Sequence, residues 1–167
     1  MRARTMLVLV AVSLSVCAAQ AQVKKPEAPS KPVKATALEL KFLKTYPGGY
    51  LCKAKPCPPI TIKVTGGCVV SANPPAMGLI QNLDNVTITW KIDGDAAFTK
   101  QGINGKVPKD WNTEFQKGTY VGPKEFTWLD LNNHDDDPKN QKREFGYNVD
   151  ITNPACPRYD PIIINDY

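Results

Sequence analysis

Val86-Thr87-Ile88-Thr89-Trp90-Lys91-Ile92 alternates apolar and polar side chains without a break. A period of two places Val86, Ile88, Trp90 and Ile92 on one face of an extended chain and Thr87, Thr89 and Lys91 on the other, the pattern of a strand with one dry face and one wet face. The same alternation sets Ile60, Ile62 and Val64 against Thr61, Lys63 and Thr65, and Phe145, Tyr147, Val149 and Ile151 against Gly146, Asn148, Asp150 and Thr152. Leu38, Leu40 and Phe42 alternate with Glu39 and Lys41 in the same way and predict a further strand. Weaker candidates are Cys68–Ala72, Thr119–Val121, Phe126–Leu131 and Ile162–Ile164. Between them fall turn formers: Pro47-Gly48-Gly49, Gly66-Gly67, Asn73-Pro74-Pro75, Asp93-Gly94-Asp95 and Asn153-Pro154. About 7–8 short strands so divided predict an all-β fold, a two-sheet antiparallel sandwich stapled by disulfides. Helix is expected only as a turn or two around Lys109–Gln116, where Trp111 and Phe115 would share a face.

The chain opens with Arg2 and Arg4, an apolar run from Met6 to Val16, and Ala19-Gln20-Ala21. This is the charged start, short apolar centre and small-residue cleavage site of an export signal, so residues 1–21 read as a signal peptide and the protein as exported, periplasmic or extracellular. The apolar run is far too short to span a bilayer, and no transmembrane segment is expected. Leu14-Ser15-Val16-Cys17 is similar to a lipoprotein acylation box, although Val16 replaces the usual small residue, so a lipid anchor on Cys17 is an alternative. Residues 22–36 mix Pro, Lys and Ala without periodicity and read as an extended basic linker. Residues 37–167 then form one sandwich domain, long enough to bury its own core.

The net charge of +5 is unevenly spread. Two arginines belong to the signal, residues 22–44 hold six lysines against Glu27 and Glu39, and residues 45–167 hold 13 basic and 14 acidic side chains. A near-neutral body argues against a nucleic-acid partner.

Beyond Cys17, the cysteines are Cys52, Cys57, Cys68 and Cys156, an even number that predicts two disulfides in an oxidising compartment. Three pairings are open; Cys52–Cys57 with Cys68–Cys156 is favoured. Four thiolates could instead hold zinc, but no Cys-x-x-Cys pair is present. The single histidine, His134, removes blue copper, which needs two. It also leaves any Ser-His-Asp triad dependent on Ser71, with no glycine elbow around it. No cofactor is expected. Asp130, Asn132, Asp135, Asp136 and Asp137 crowd oxygen donors into eight residues, weak calcium candidates in a stretch that otherwise reads as a solvated hairpin loop. The EF-hand pattern fails there, with Asp135 where glycine belongs. Among the aromatics, Trp90 and Trp128 have strand parity with core residues, whereas Trp111 and Tyr120 sit near turns and are candidates for a binding surface, with Tyr46 and Tyr50 behind them.

Read together, Ile88-Thr89-Trp90-Lys91-Ile92, Phe126-Thr127-Trp128-Leu129-Asp130, Tyr147-Asn148-Val149-Asp150-Ile151 and Asp160-Pro161-Ile162-Ile163-Ile164-Asn165-Asp166 resemble a pattern in uncharacterised small exported β-sandwich proteins of proteobacteria. The resemblance spans residues 86–166, implies an immunoglobulin-like or cupredoxin-like sandwich and transfers no catalytic residue. The expectation is therefore a non-enzymatic binding or accessory protein of the bacterial envelope, acting by surface contact on an unknown protein or polysaccharide. A hydrolase of envelope or extracellular polymer, using carboxylates that no sequence spacing singles out, is the alternative.

Overall fold

The structure is a computed structural model and describes residues 35–81, 83–132, 143–153, 159, 161–165 and 167. The signal peptide, Cys17 and nearly all of the linker therefore lie outside the described residues, as do His134, Asp135, Asp136, Asp137 and Cys156.

Ten strands form two five-stranded sheets. One has the order β1 (Tyr50–Cys52), β4 (Ala76–Leu79), β10 (Ile162–Asn165), β9 (Arg143–Ile151), β6 (Phe98–Gly105); the other runs β3 (Cys68–Asn73), β2 (Ile60–Thr65), β5 (Val86–Asp93), β8 (Glu125–Asp130), β7 (Phe115–Gly122). The expected two-sheet sandwich is present. Its sheets are mixed rather than wholly antiparallel: β1 and β10 both run parallel to β4, and β2 runs parallel to β5. Parallel neighbours need long crossovers, and here those crossovers carry the chain through the other strands.

β5 occupies the centre of its sheet with the alternation its sequence dictates. Val86, Ile88, Trp90 and Ile92 are buried while Thr87, Lys91 and Asp93 face water. Burying one face of such a strand is worth about 1.5–3 kcal/mol per large apolar side chain, which fixes the register, because a one-residue slip would turn all four outward. Trp90 meets Tyr147 of the opposite sheet edge to face at 5.4 Å. Phe98 and Phe126 form another inter-sheet pair at 6.1 Å.

Residues 38–42 correct the sequence expectation. They form a helix, α1 (Ala37–Thr45), instead of a strand. Thr36 and Glu39 close a capping box: the Glu39 amide donates to Thr36 Oγ1 at 3.3 Å, and the Thr36 amide donates to Glu39 Oε2 at 2.7 Å. That reciprocal cap satisfies amides that a helix start otherwise leaves bare. Phe42 alone is buried from this segment. It fits because Gly49 and Gly78 lack side chains; a Cβ on Gly78 would stand 2.4 Å from the Phe42 ring. The expected short helix near residue 110 is α2 (Pro108–Glu114), opened by Pro108, whose missing amide costs nothing in a first turn.

Cys52 and Cys57 form the expected short disulfide, with Cα atoms 5.6 Å apart. Cys68 is also disulfide-bonded. No helix among the described residues is long and apolar enough to cross a membrane.

Candidate functional site

A groove of about 1020 Å³ runs over β6, β8 and β9. Its aromatic wall is Trp128 and Tyr159, and its polar wall is Asn104, Asn148 and Asp150. The polar wall follows from strand parity. Tyr147 and Ile151 point into the core, so Asn148 and Asp150 share the opposite face of β9, and Asn104 of β6 pairs with Asn148 in register.

These three side chains form a ladder. Asn148 Nδ2 donates to Asn104 Oδ1 at 3.0 Å, and Asn104 Nδ2 donates to Asp150 Oδ2 at 2.5 Å. The ladder fixes each amide in one orientation, and among the described residues the second carboxylate oxygen of Asp150, the Asn148 carbonyl and the remaining amide hydrogens have no partner and can meet a ligand. Lys100 and Gln101 line the same groove. They lie in a bulge of β6, between its pairings Phe98 with Ile151 and Ile103 with Val149. Extra residues in a bulge cannot join the ladder of hydrogen bonds, so their side chains are free to be re-aimed.

Trp128 is half-buried and held from both sides. Its indole Nε1 donates to the Ile103 carbonyl at 2.8 Å, pinning β8 to β6 across the two layers. A Cβ on Gly118 would lie 2.5 Å from the ring, so only glycine at 118 lets the indole lie against β7. Strand parity with Phe126 had pointed Trp128 to the core; its inner face obeys that rule while its rim lines the groove.

Of the two aromatics expected to form a binding surface, Trp111 is buried and Tyr120 is exposed. Trp111 is 2% exposed, stacked on Phe115 with centroids 3.8 Å apart and edge-on to Trp128 at 5.7 Å. An indole on α2 plugs the sandwich end because Gly105 makes room, its Cα approaching Trp111 too closely for any side chain. Tyr120 is exposed on edge strand β7, at 39%, outside the groove.

The calcium candidates that are described are likewise turned inward. Asp130 and Asn132 are buried, and their neighbours are Glu114 and Asn165, equally buried. Asn165 Nδ2 donates at 2.9 Å to both Glu114 Oε1 and Asp130 Oδ1, and the Asn132 amide donates to Asp130 Oδ1 at 3.0 Å. Asn132 Nδ2 reaches the Ile80 and Leu83 carbonyls. Arg143 lies 3.6 Å from Glu114. This is a closed polar knot joining both sheets, not a row of donors facing solvent. Among the described residues no three His, Cys, Asp or Glu side chains come together as a metal site. Burial pushes the Asp130 carboxyl well above the usual carboxylate range, and the neighbouring Glu114 charge pushes it further the same way.

Sequence reasoning missed the groove because its polar members are ordinary wet-face residues. The one signal was chemical: where β5 places Thr and Lys outward, β9 places Asn148 and Asp150. No protein-family model matches this chain, and no curated protein matches its sequence.

Proposed function

We propose that the protein is an exported, non-enzymatic binding protein of the bacterial envelope whose groove seats a polysaccharide. The observation that carries this is the pairing of an orienting Asn148–Asn104–Asp150 ladder with the Trp128 and Tyr159 rings along one groove. Sugar hydroxyls both donate and accept, and fixed amides beside a carboxylate answer both roles, while an aromatic rim covers the apolar face of a pyranose ring. The near-neutral body suits an uncharged or weakly charged polymer better than nucleic acid. Export rests on the first 21 residues, and the oxidised cysteines accord with it.

Titration of the purified protein against soluble envelope and extracellular polysaccharides tests the assignment. Asn148→Ala and Asp150→Ala are expected to weaken binding at least tenfold, about 1.4 kcal/mol, while the folded state persists with only the small fall in melting temperature that a lost ladder bond brings. If both variants bind as the parent does, the groove is not the site. Turnover of the polymer, abolished by a single Asp or Glu substitution, would replace binding by hydrolysis.

A further inference from the structure

Helix α1 turns a side of itself to solvent that the fold does not use. Its inward anchor is Phe42 alone; successive residues advance by about 100°, so Leu40 stands nearly opposite Phe42 and Leu43 lies one turn along from Leu40. Leu40 is 58% exposed and Leu43 is 40% exposed. A solvated helix places charged side chains at such positions. Here an apolar stripe of Leu40 and Leu43 instead runs beside a basic stripe of Lys41 and Lys44, both exposed.

The stretch of sequence that ends in α1 is net basic. Residues 22–44 carry six lysines against two glutamates. One of those glutamates, Glu39, is already paired with Lys53 at 2.8 Å. On the outer face of the helix, Lys41 and Lys44 have no ion-pair partner among the described residues and stand next to the exposed leucines. A nine-residue helix is about 13 Å long, enough to lie in the plane of a lipid headgroup layer with two leucines dipping inward and two lysine stems rising to the phosphates.

The geometry points to α1 as a membrane-contact surface: its Leu40–Leu43 and Lys41–Lys44 stripes dock on an anionic phospholipid bilayer. This is independent of the groove, which lies on other strands. An acidic protein would satisfy the lysines but leave the leucines unexplained; a bilayer interface takes both.

Co-sedimentation with vesicles of phosphatidylcholine alone and of phosphatidylcholine with 30% phosphatidylglycerol tests it, using purified protein whose N-terminus is verified by intact mass. The parent is expected to partition onto the anionic vesicles at least tenfold more strongly than onto the neutral ones, and less so as salt rises. Leu40→Gln with Leu43→Gln, and separately Lys41→Gln with Lys44→Gln, should each reduce that partition at least fivefold; because all four positions are exposed, the circular dichroism should not change. Parent and variants share every residue outside α1, so any contribution from the preceding segment cancels. Equal partition of parent and leucine variant overturns the proposal, leaving electrostatics of the basic arm alone, and so does an absence of anionic preference in the parent.

Discussion

Asp130 sits where a charge is hardest to keep, buried on β8 against Glu114, and its partners decide which protonation state folds. Asn165 and the Asn132 amide donate to one oxygen. The other oxygen has no hydrogen-bond partner among the described residues when the group is ionised. With the folded carboxyl raised above its unfolded value of 3.8, the folded state binds the proton more tightly than the unfolded state does. The stabilisation this supplies is complete below pH 3.8 and is lost as pH rises through the raised folded value, at up to about 1.4 kcal/mol per pH unit. Asp130→Asn mimics the protonated acid, accepting at one atom and donating towards Glu114 at the other. Denaturation from pH 4 to pH 9 should show the parent losing stability relative to this variant as pH rises; parallel profiles would show that no proton is held there. Gly94 is the position least able to change. Its φ is +130°, and a Cβ would stand 2.2 Å from the Val64 carbonyl oxygen, a backbone atom that cannot swing aside. Gly94→Ala is expected to cost about 2 kcal/mol or more, from strain and displacement together, measured as a fall in the urea midpoint.

At the scale of the element, β5 and α1 show what alternation can and cannot decide. Four apolar side chains at period two over Val86–Ile92 admit one structure, since no helix face would gather them. Three such residues at 38, 40 and 42 do not: Thr36-x-x-Glu39 is a capping box legible in the sequence, and it outweighs a short alternation when only one of the three apolar side chains finds a burial site. Burial by Phe42 in the space left by Gly49 and Gly78 depends on residues that come close only after folding. β1, β4 and β6 escaped notice for related reasons. β1 is three residues long, β4 is buried throughout with no alternation, and the bulge interrupts the period of β6. Because α1 is held by one ring, Phe42→Ala should release the helix while the sheets persist. Hydrogen exchange is expected to show amides of Ala37–Thr45 losing protection with those of β5 and β8 retained; uniform loss would show that α1 and the sandwich unfold as one. The cap responds to acid with the opposite sign from Asp130. The Lys53 ammonium and the two Thr36 donors hold Glu39 at about 2, below its ordinary 4.5, so its stabilising contribution is full above pH 4.5 and is lost as pH falls through about 2.

The whole molecule is tied together by contacts that sequence separation conceals. Asn165 meets Glu114 and Asp130 across 51 and 35 residues, and Trp128 meets Ile103 across 25. Periodicity sorts side chains into inner and outer faces but says nothing about which strand lies opposite which, so both the polar knot and the groove, each built from several strands, were invisible until the order of the sheets was known. The cysteines are the exception, since an even count and the expected export predicted the oxidation of Cys52, Cys57 and Cys68. Their contributions should differ. Cys52–Cys57 closes a loop of sequence separation 5, and in the chain-entropy model so short a loop is worth about 2 kcal/mol. Cys52 is itself buried beside the core, so Cys52→Ser adds the cost of a polar group there. Cys68 anchors β3, an edge strand with β2 as its one neighbour in the sheet. Pairing with Cys156 would close a loop of roughly 90 residues and raise the entropic contribution to about 4–5 kcal/mol. Peptide mapping without reductant should recover the 52–57 and 68–156 pairs, and Cys68→Ala should lower the melting temperature more than the double change Cys52→Ala with Cys57→Ala. The reverse order would mean that the bridge at Cys68 contributes less than its loop length predicts and that β3 is held mainly by packing.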